Sequence, residues 1–177
     1  MNNQEIARIF SEMAEILEIK GDNPFKIRAY RRAALNIEGL TRNVEELTRE
    51  EILEIPGIGE ELAAKIEEYI KTGSMHAHEK LKEDVPAGLL ALLTVPGLGP
   101  KTARLLFEKL GITNIEELER SAAEHRLAGI PGIQQKTEEN ILRGIAIARR
   151  SQLKKGDVLN TLALPELLKR LKPKREG

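Results

Sequence analysis

The segment Ile55-Pro56-Gly57-Ile58-Gly59-Glu60-Glu61-Leu62-Ala63-Ala64-Lys65-Ile66 decides the fold of this chain. A Pro-Gly-x-Gly turn that opens an amphipathic helix leaves the first backbone N–H groups of the helix without intrahelical partners, and these groups carry about half a positive charge. Glycines let a phosphate approach the main chain closely. The sequence therefore predicts an anion site at Gly57, Ile58 and Gly59.

The same pattern occurs twice more in the chain. It returns as Val95-Pro96-Gly97-Leu98-Gly99-Pro100-Lys101-Thr102-Ala103-Arg104, and in degraded form as Ile130-Pro131-Gly132-Ile133-Gln134. Apolar residues at helical spacing flank each copy, which predicts a helix, a tight hairpin and a second helix. The arrangement resembles the helix-hairpin-helix motif, which binds the DNA backbone without reading base sequence. The alternative is a helical connector whose Pro and Gly only end one helix and begin the next, but the repetition favours DNA binding.

The second copy adds side chains that suit a phosphate. Its predicted DNA contacts are the turn residues Gly97, Leu98 and Gly99 and the helix residues Lys101, Thr102 and Arg104. In the third copy Gln134 replaces the second glycine. If that position needs a positive φ, the replacement costs about 1 kcal/mol, so the third copy is expected to be structural.

Composition excludes several classes of protein. With 177 residues and 41% hydrophobic content the chain can bury a core. It has no apolar run of membrane-spanning length, no recognisable secretory leader and no cysteine, so we expect a cytoplasmic monomer with no membrane attachment and no divalent metal site. The net charge is zero, which requires DNA binding to come from local patches. β-Branched and aromatic residues do not alternate with polar ones, and this predicts an all-α fold.

Helical periods and capping residues predict the order of the helices. Asn43 and Thr48 are expected to cap successive short helices, while His76 and His78 should point to opposite sides of a helix and lie on the surface. The predicted helices are Asn3 to Ile19, Pro24 to Glu38, Val44 to Leu47, Arg49 to Leu53, Glu60 to Lys71, Met75 to Lys82, residues 87–94, residues 100–110 and Ile115 to Glu124.

A longer segment carries a more specific resemblance. Gly21-Asp22-Asn23-Pro24-Phe25-Lys26-Ile27-Arg28-Ala29-Tyr30-Arg31-Arg32-Ala33-Ala34, followed by the first hairpin, closely resembles the N-terminal domain of bacterial and archaeal family X (polymerase beta-like) DNA polymerases. The resemblance runs from Asn2 to about Arg150. It implies base excision repair on gapped or nicked duplex DNA, with Lys26 and Tyr30 on the downstream 5′-phosphate and Phe25 near the template base. Arg28 belongs to the same run of cations, which in isolation is usually a solvated helix face.

The resemblance also implies a division into domains. Residues 1–84 would form a lyase-type domain with the first hairpin, residues 85–150 a thumb-like domain with the other two, and residues 151–177 a basic linker with a short helix from Leu164 and disorder from Pro173. Family X polymerases hold two Mg²⁺ ions with three aspartates on a palm domain. Here the aspartates Asp22, Asp84 and Asp157 are isolated. We therefore expect no polymerase active site in this chain, which would be either part of a longer, palm-containing polymerase or a stand-alone relative.

Hairpins of this family also hold a monovalent cation, Na⁺ or K⁺, between main-chain carbonyls and a DNA phosphate. The matching carbonyls are those of Leu53, Ile55 and Ile58 in the first hairpin and of Leu93, Val95 and Leu98 in the second. Such an ion neutralises phosphate charge without a lysine, which suits a chain of zero net charge.

Lys65 raises the question of catalysis. In animal repair polymerases that resemble this domain, the matching lysine forms a Schiff base with an abasic sugar, which requires a neutral amine. Glu61 and Glu68 favour the charged amine, and Glu61 has the i,i+4 spacing of an ordinary helix ion pair with Lys65. We expect weak abasic-site lyase activity at most. A protein-interaction scaffold that kept the hairpins only for packing is the remaining alternative.

Overall fold

The computed structural model describes the backbone of residues 2–159 and the side chains of residues 2–151. All regular elements in this part of the chain are helical, as predicted. The α-helices are α1 (Asn2–Lys20), α2 (Pro24–Glu38), α3 (Arg49–Leu53), α4 (Glu60–Thr72), α5 (His76–Glu83), α6 (Ala87–Leu92), α7 (Pro100–Leu110), α8 (Ile115–Ala123) and α9 (Gln135–Leu159), with 3-10 turns at Val44–Glu46 and Leu127–Gly129.

Local capping chemistry explains where the helices begin and end. The Asn23 side chain accepts a hydrogen bond from the Phe25 N–H (2.8 Å) at the start of α2. Thr48 and Glu51 form a reciprocal capping box at α3. Helices α4 and α7 end at Gly73 and Gly111, whose φ angles of +78° and +67° favour glycine.

The chain folds into two compact units. The first unit contains the residues up to Leu93 together with Gly99–Glu117, and the second contains Thr94–Leu98 and the described residues from Leu118 onward. The predicted boundary after residue 84 concerns the extent of family domains and stays a prediction.

In the first unit the core forms around α1. Ile6, Phe10 and Met13 are completely buried and belong to one cluster with residues from α2, α3 and α4. The Phe10 ring lies 5.7 Å from the ring of Tyr30 on α2. The buried Asn3 side chain donates to the Arg42 carbonyl and accepts from the Val44 N–H, both at 2.8 Å, so it ties α1 to the loop that leads to the first hairpin.

The second unit has its own buried side chains, which include Leu118, Leu127 and Ile141. One buried acid forms hydrogen bonds inside this unit. Glu138 is 1% exposed, and its carboxylate contacts the Ala128 N–H (3.0 Å) and His125 Nδ1 (2.7 Å). These bonds satisfy a buried charge that would otherwise be costly.

His78 was predicted to lie on the surface, but it is 5% exposed and its Nε2 lies 3.2 Å from Glu12 Oε1 on α1, because α5 packs against α1 through that side chain. His76 is exposed as predicted. Helix α9 continues to Leu159, into the segment predicted to be a linker. The predicted helix at Leu164 and the predicted disorder from Pro173 lie outside the described residues.

None of the helices in the described part of the chain is long and apolar enough to cross a membrane.

Candidate nucleic-acid interface

The three hairpins share one turn geometry. The first glycine of each turn has a positive φ, with values of +84° at Gly57, +86° at Gly97 and +93° at Gly132. Each turn closes with a hydrogen bond from the N–H three residues after the leading aliphatic residue to the carbonyl of that residue, at 3.0, 3.1 and 3.0 Å. The first glycine therefore sets the turn, because L side chains rarely adopt this conformation.

The second glycine of the turn does not have the positive φ that would have made Gln134 strained in the third hairpin. Gly59 and Gly99 both have φ −98° with extended ψ, a conformation that any residue adopts. Gln134 is not among the described residues with a positive φ. The premise that this position needs a positive φ is wrong, and Gln134 causes no backbone strain. Its side chain still stands where the first two hairpins have open space at the helix start.

In each of the first two hairpins, another helix contacts the carbonyl of the turn proline. In the first hairpin the Asn36 side chain on α2 donates to the Pro56 carbonyl (2.6 Å). In the second hairpin an ideal Cβ on Gly144 of α9 would lie 2.5 Å from the Pro96 carbonyl oxygen, so α9 approaches this turn closely through a glycine.

The helices that follow the turns differ in charge. Helix α4 begins with Glu60 and Glu61, and Arg49 pairs with Glu60 (2.5 Å) and with Glu67 (2.6 Å). Helix α7 begins with Pro100, exposed Lys101 and half-buried Thr102. Neither Gly59 nor Gly99 provides a side-chain cap, so side chains do not occupy the first N–H groups of α4 and α7.

Two neighbouring pockets are both lined by Lys26 and Tyr30. One, of about 260 Å³, is also lined by Lys65 and Lys80, and the other, of about 280 Å³, reaches Gly59 of the first hairpin. Burial, and secondarily the nearby Glu61 carboxylate, raises the pKa of Tyr30. The phenol is therefore a neutral hydrogen-bond donor at physiological pH.

The predicted Glu61–Lys65 ion pair does not form. Lys65 is half-buried and has no ion pair with any residue of the described part of the chain. Glu68 instead accepts a hydrogen bond from the His76 N–H (3.1 Å). Asp84, which also lines this pocket, is paired with Lys20 at 2.7 Å. The Lys65 amine is thus free to meet a ligand in the pocket.

Phe25 and Arg28 form a separate exposed pair on α2. Phe25 is 74% exposed, and the Arg28 guanidinium carbon lies 4.8 Å from its ring centroid, a cation–π arrangement. Arg28 does not line the Lys26 pockets; it lines a cleft together with Lys101 and Arg104. The run of cations on α2 is therefore split between two sites.

Sequence reasoning missed several members of these sites. Arg32 lies against the first turn, since an ideal Cβ on Gly57 would be 3.2 Å from its Cδ. Asn36 holds that turn, and Lys80 joins Lys26 and Lys65 in one pocket. The sequence shows only that Arg32 lies one turn before Asn36 on α2, so that the two side chains share a helix face. It does not show that this face contacts the first hairpin turn.

This geometry, with repeated Pro-Gly turns that open helices and present uncapped N–H groups, defines a helix-hairpin-helix protein. Residues 1–75 match the family described as "Helix-hairpin-helix domain", and residues 89–146 match "SAM-like Helix-hairpin-helix tandem".

Two similar proteins indicate which kind of helix-hairpin-helix protein this chain resembles. The chain is 36% identical over 148 residues to "DNA polymerase/3'-5' exonuclease PolX" of Bacillus subtilis (strain 168), an alignment that covers 84% of this chain and 26% of that protein. It is 29% identical over 117 residues to "DNA polymerase lambda" of Arabidopsis thaliana, covering 66% of this chain and 21% of that protein. The chain thus spans about a quarter of the length of these relatives. It is a helix-hairpin-helix region of the type found in family X DNA polymerases.

Proposed function

We propose that the chain binds gapped or nicked duplex DNA without reading base sequence, as the DNA-binding part of a family X DNA polymerase that acts in DNA repair. The observation that carries this proposal is the shared backbone of the first two hairpins, whose exposed glycines and uncapped helix N–H groups suit phosphate oxygens. Contacts of this kind are made to the sugar–phosphate backbone and carry no sequence information.

The preference for interrupted DNA follows from the Lys26–Tyr30 pockets. A strand end at a gap presents a terminal phosphate with more negative charge than an internal phosphodiester. The exposed amine of Lys26 and the neutral Tyr30 hydroxyl can both donate to it. Phe25, exposed at the start of the same helix, is available to stack on an unpaired base.

A monovalent cation would complete the phosphate contact at the hairpins. Main-chain carbonyls are the oxygen ligands that hard cations prefer. In the first hairpin the Ile55 carbonyl accepts the Ile58 N–H (3.0 Å) through one lone pair, which leaves its second lone pair for an ion. The carbonyls of Leu53 and Ile58 would supply further ligands. The cation would neutralise charge between these carbonyls and a phosphate.

Fluorescence anisotropy with labelled DNA tests the function. Gapped and nicked duplexes should bind more tightly than intact duplex, in several unrelated base sequences, and affinity should fall steeply with salt. A larger effect of base sequence than of DNA structure would contradict sequence-independent binding. No binding to any of these DNAs by the folded protein would favour the protein-interaction scaffold.

Lys26 tests the terminal phosphate separately. Lys26→Ala should abolish discrimination between gaps with and without a 5′-phosphate and leave weak binding to intact duplex in place. Lys71→Ala removes an exposed lysine of α4 that lines none of these pockets and is the matched control. Equal losses of Lys26→Ala on both gaps would show a general backbone contact only.

An abasic-site lyase is the second candidate, because Lys65 shares a pocket with Lys26 and Tyr30 and has no ion pair within the described residues. A terminal phosphate held by Lys26 would place the attached sugar near this amine. The pocket also contains Glu61, whose carboxylate repels a phosphate and so opposes the placement of the sugar. The expected activity is therefore weak.

Borohydride trapping on a gap with a 5′-abasic sugar measures this activity. Adducts should be faint, should disappear in Lys65→Ala and should persist in Lys71→Ala. Adducts that survive in Lys65→Ala would assign the chemistry to another amine, and Lys80 is the next lysine of the pocket to replace.

A further inference from the structure

The first unit contains a cleft of about 420 Å³ that is distinct from the Lys26–Tyr30 pockets. The turn between α1 and α2, the first turns of α2, and the start of α7 line it. Four cations from two helices converge there, namely Arg28 and Arg31 of α2 and Lys101 and Arg104 of α7. Like charges held this close repel one another, so an anion bound among them would be stabilised.

The cleft keeps an excess of positive charge after its internal pairs are counted. Arg31 is paired with Glu18, the first of the two acids that line the cleft. The other acid, Asp22, accepts a hydrogen bond from the Asn23 N–H (2.6 Å). Arg28 and Lys101 have no ion pair with any residue that the structure describes. Among the described residues two cations therefore have no ion-pair partner, against the single carboxylate of Asp22, and the Arg28 guanidinium contacts only the Phe25 ring.

A glycine shapes one wall of the cleft. An ideal Cβ on Gly21 would lie 1.9 Å from Nη1 and 2.6 Å from Cζ of Arg104, so the guanidinium occupies the place of a side chain on this turn. Gly21 also has a φ of +73°. The Nε of Arg104 is bonded to Glu108 at 2.8 Å. That bond and the glycine surface together fix the guanidinium plane, which pre-organises its remaining donors.

We propose that this cleft binds one phosphate of the DNA backbone between α2 and the start of α7, at a place separate from the terminal-phosphate pocket and from the turn of the first hairpin. The inference rests on the proposed DNA binding. A planar guanidinium and an ammonium are the side chains that hold phosphate most strongly, and both are free here as Arg28 and Lys101. The start of α2 adds the positive end of a helix of 15 residues.

The test compares two single variants of the chain on the same gapped duplex. Arg28→Ala leaves Lys101 and the second hairpin in place. It should weaken binding about tenfold and lower the slope of log K against log salt by about 1, because one phosphate contact is lost. Lys71→Ala removes the same charge from an exposed position outside the cleft. That control should lose less than about threefold in affinity, with the salt slope unchanged.

A titration of the ¹⁵N-labelled protein with inorganic phosphate gives a second measurement. Saturating shifts of the Gly21 amide and the Arg104 Nε–H signal support the proposal if they are absent in Arg28→Ala and if inorganic phosphate no longer causes them once gapped DNA is bound. If wild type binds inorganic phosphate but Arg28→Ala binds DNA as tightly as wild type, the proposal is overturned, and the cleft is a site for a free anion only.

The two proposals can fail separately. Equal losses for Arg28→Ala and Lys71→Ala overturn the proposed phosphate site in the cleft, and DNA binding through the hairpins then stands as long as Gly97→Ala still weakens it. If the folded Gly57→Ala and Gly97→Ala proteins bind like wild type, the hairpin contact fails instead, whatever Arg28→Ala shows.

Discussion

The first hairpin, between α3 and α4, and the second, between α6 and α7, place their leading glycines at φ +84° and +86° and close with hydrogen bonds of 3.0 and 3.1 Å. Their surroundings differ in charge. Glu60 and Glu61 follow the first turn, whereas Lys101 follows the second. Acids in a first turn stabilise the helix but compete with a phosphate for its N–H groups. The Pro-Gly-x-Gly turn therefore sets the geometry, and neighbouring side chains set the affinity for phosphate.

A cation from another helix lies against the turn of the first hairpin. Arg32 of α2 lies against Gly57, while nothing lies within 4 Å of an ideal Cβ on Gly97. The first turn is followed by two acids that repel a phosphate. We therefore expect the proposed carbonyl-bound cation to contribute more to phosphate binding at the first turn than at the second. We accordingly expect the second hairpin to contribute more to DNA affinity than the first.

The largest expected effect comes from placing a methyl group in the turns. Gly97→Ala should weaken binding to gapped DNA about tenfold and Gly57→Ala about threefold, because a Cβ displaces the phosphate from the main chain. Anisotropy titrations measure both. Gly73→Ala imposes the same strain at φ +78° outside the hairpins and should cost stability without loss of DNA affinity. A larger loss for Gly57→Ala would reverse the ranking of the hairpins.

A charge change at the first hairpin should have a smaller effect. Glu61→Lys gives α4 the cation that α7 already has, and it should strengthen binding to gapped DNA about threefold and raise the salt slope by about 1. Glu83→Lys makes the same charge change at the end of α5 and serves as the control. An unchanged salt slope in Glu61→Lys would show that no phosphate approaches this turn.

The second glycine of the turn should matter little for folding. Gln134→Gly should change the melting temperature little, since this position is not among those with positive φ and is the N-cap of α9, where glycine is well tolerated. Thermal unfolding followed by circular dichroism measures this. Stabilisation by Gln134→Gly would restore the idea that the third hairpin is strained.

The smallest expected effect concerns a difference between α3 and α6, the helices that precede the first and second turns. The Thr48 N–H, and then the Arg42 side chain, hold the pKa of Glu51 below its usual 4.5, whereas α6 has no side-chain cap. A depressed folded pKa contributes stability above pH 4.5 that is lost as pH falls through the folded value. Glu51→Ala should therefore reduce hydrogen-exchange protection in α3 at pH 7 and have little effect at acid pH. Equal effects at both would assign the contribution to packing.

The helices could be predicted from the sequence because their signals are local. Pro24, the Thr48–Glu51 pair and the glycines after α4 and α7 mark helix ends through bonds to nearby backbone. The hairpin turns were predictable for the same reason.

Tertiary contacts could not be predicted in this way. His78 has the same local pattern as an exposed histidine, and its burial depends on Glu12 of a distant helix. Glu138 looks like a surface acid in a first helical turn, yet it is buried. The separation of Lys26 from Arg28 depends on where α4, α5 and α7 pack around α2, which no helical period encodes.

An NMR titration of the ¹⁵N-labelled protein with gapped duplex DNA tests the central claim most directly. If the hairpin turns bind phosphate through the main chain, the amide signals of Gly57, Gly59, Gly97 and Lys101 shift and saturate with the DNA, and Gly97→Ala weakens the response. If the DNA binds while these amide signals stay in place, the hairpins are packing elements and the account is contradicted.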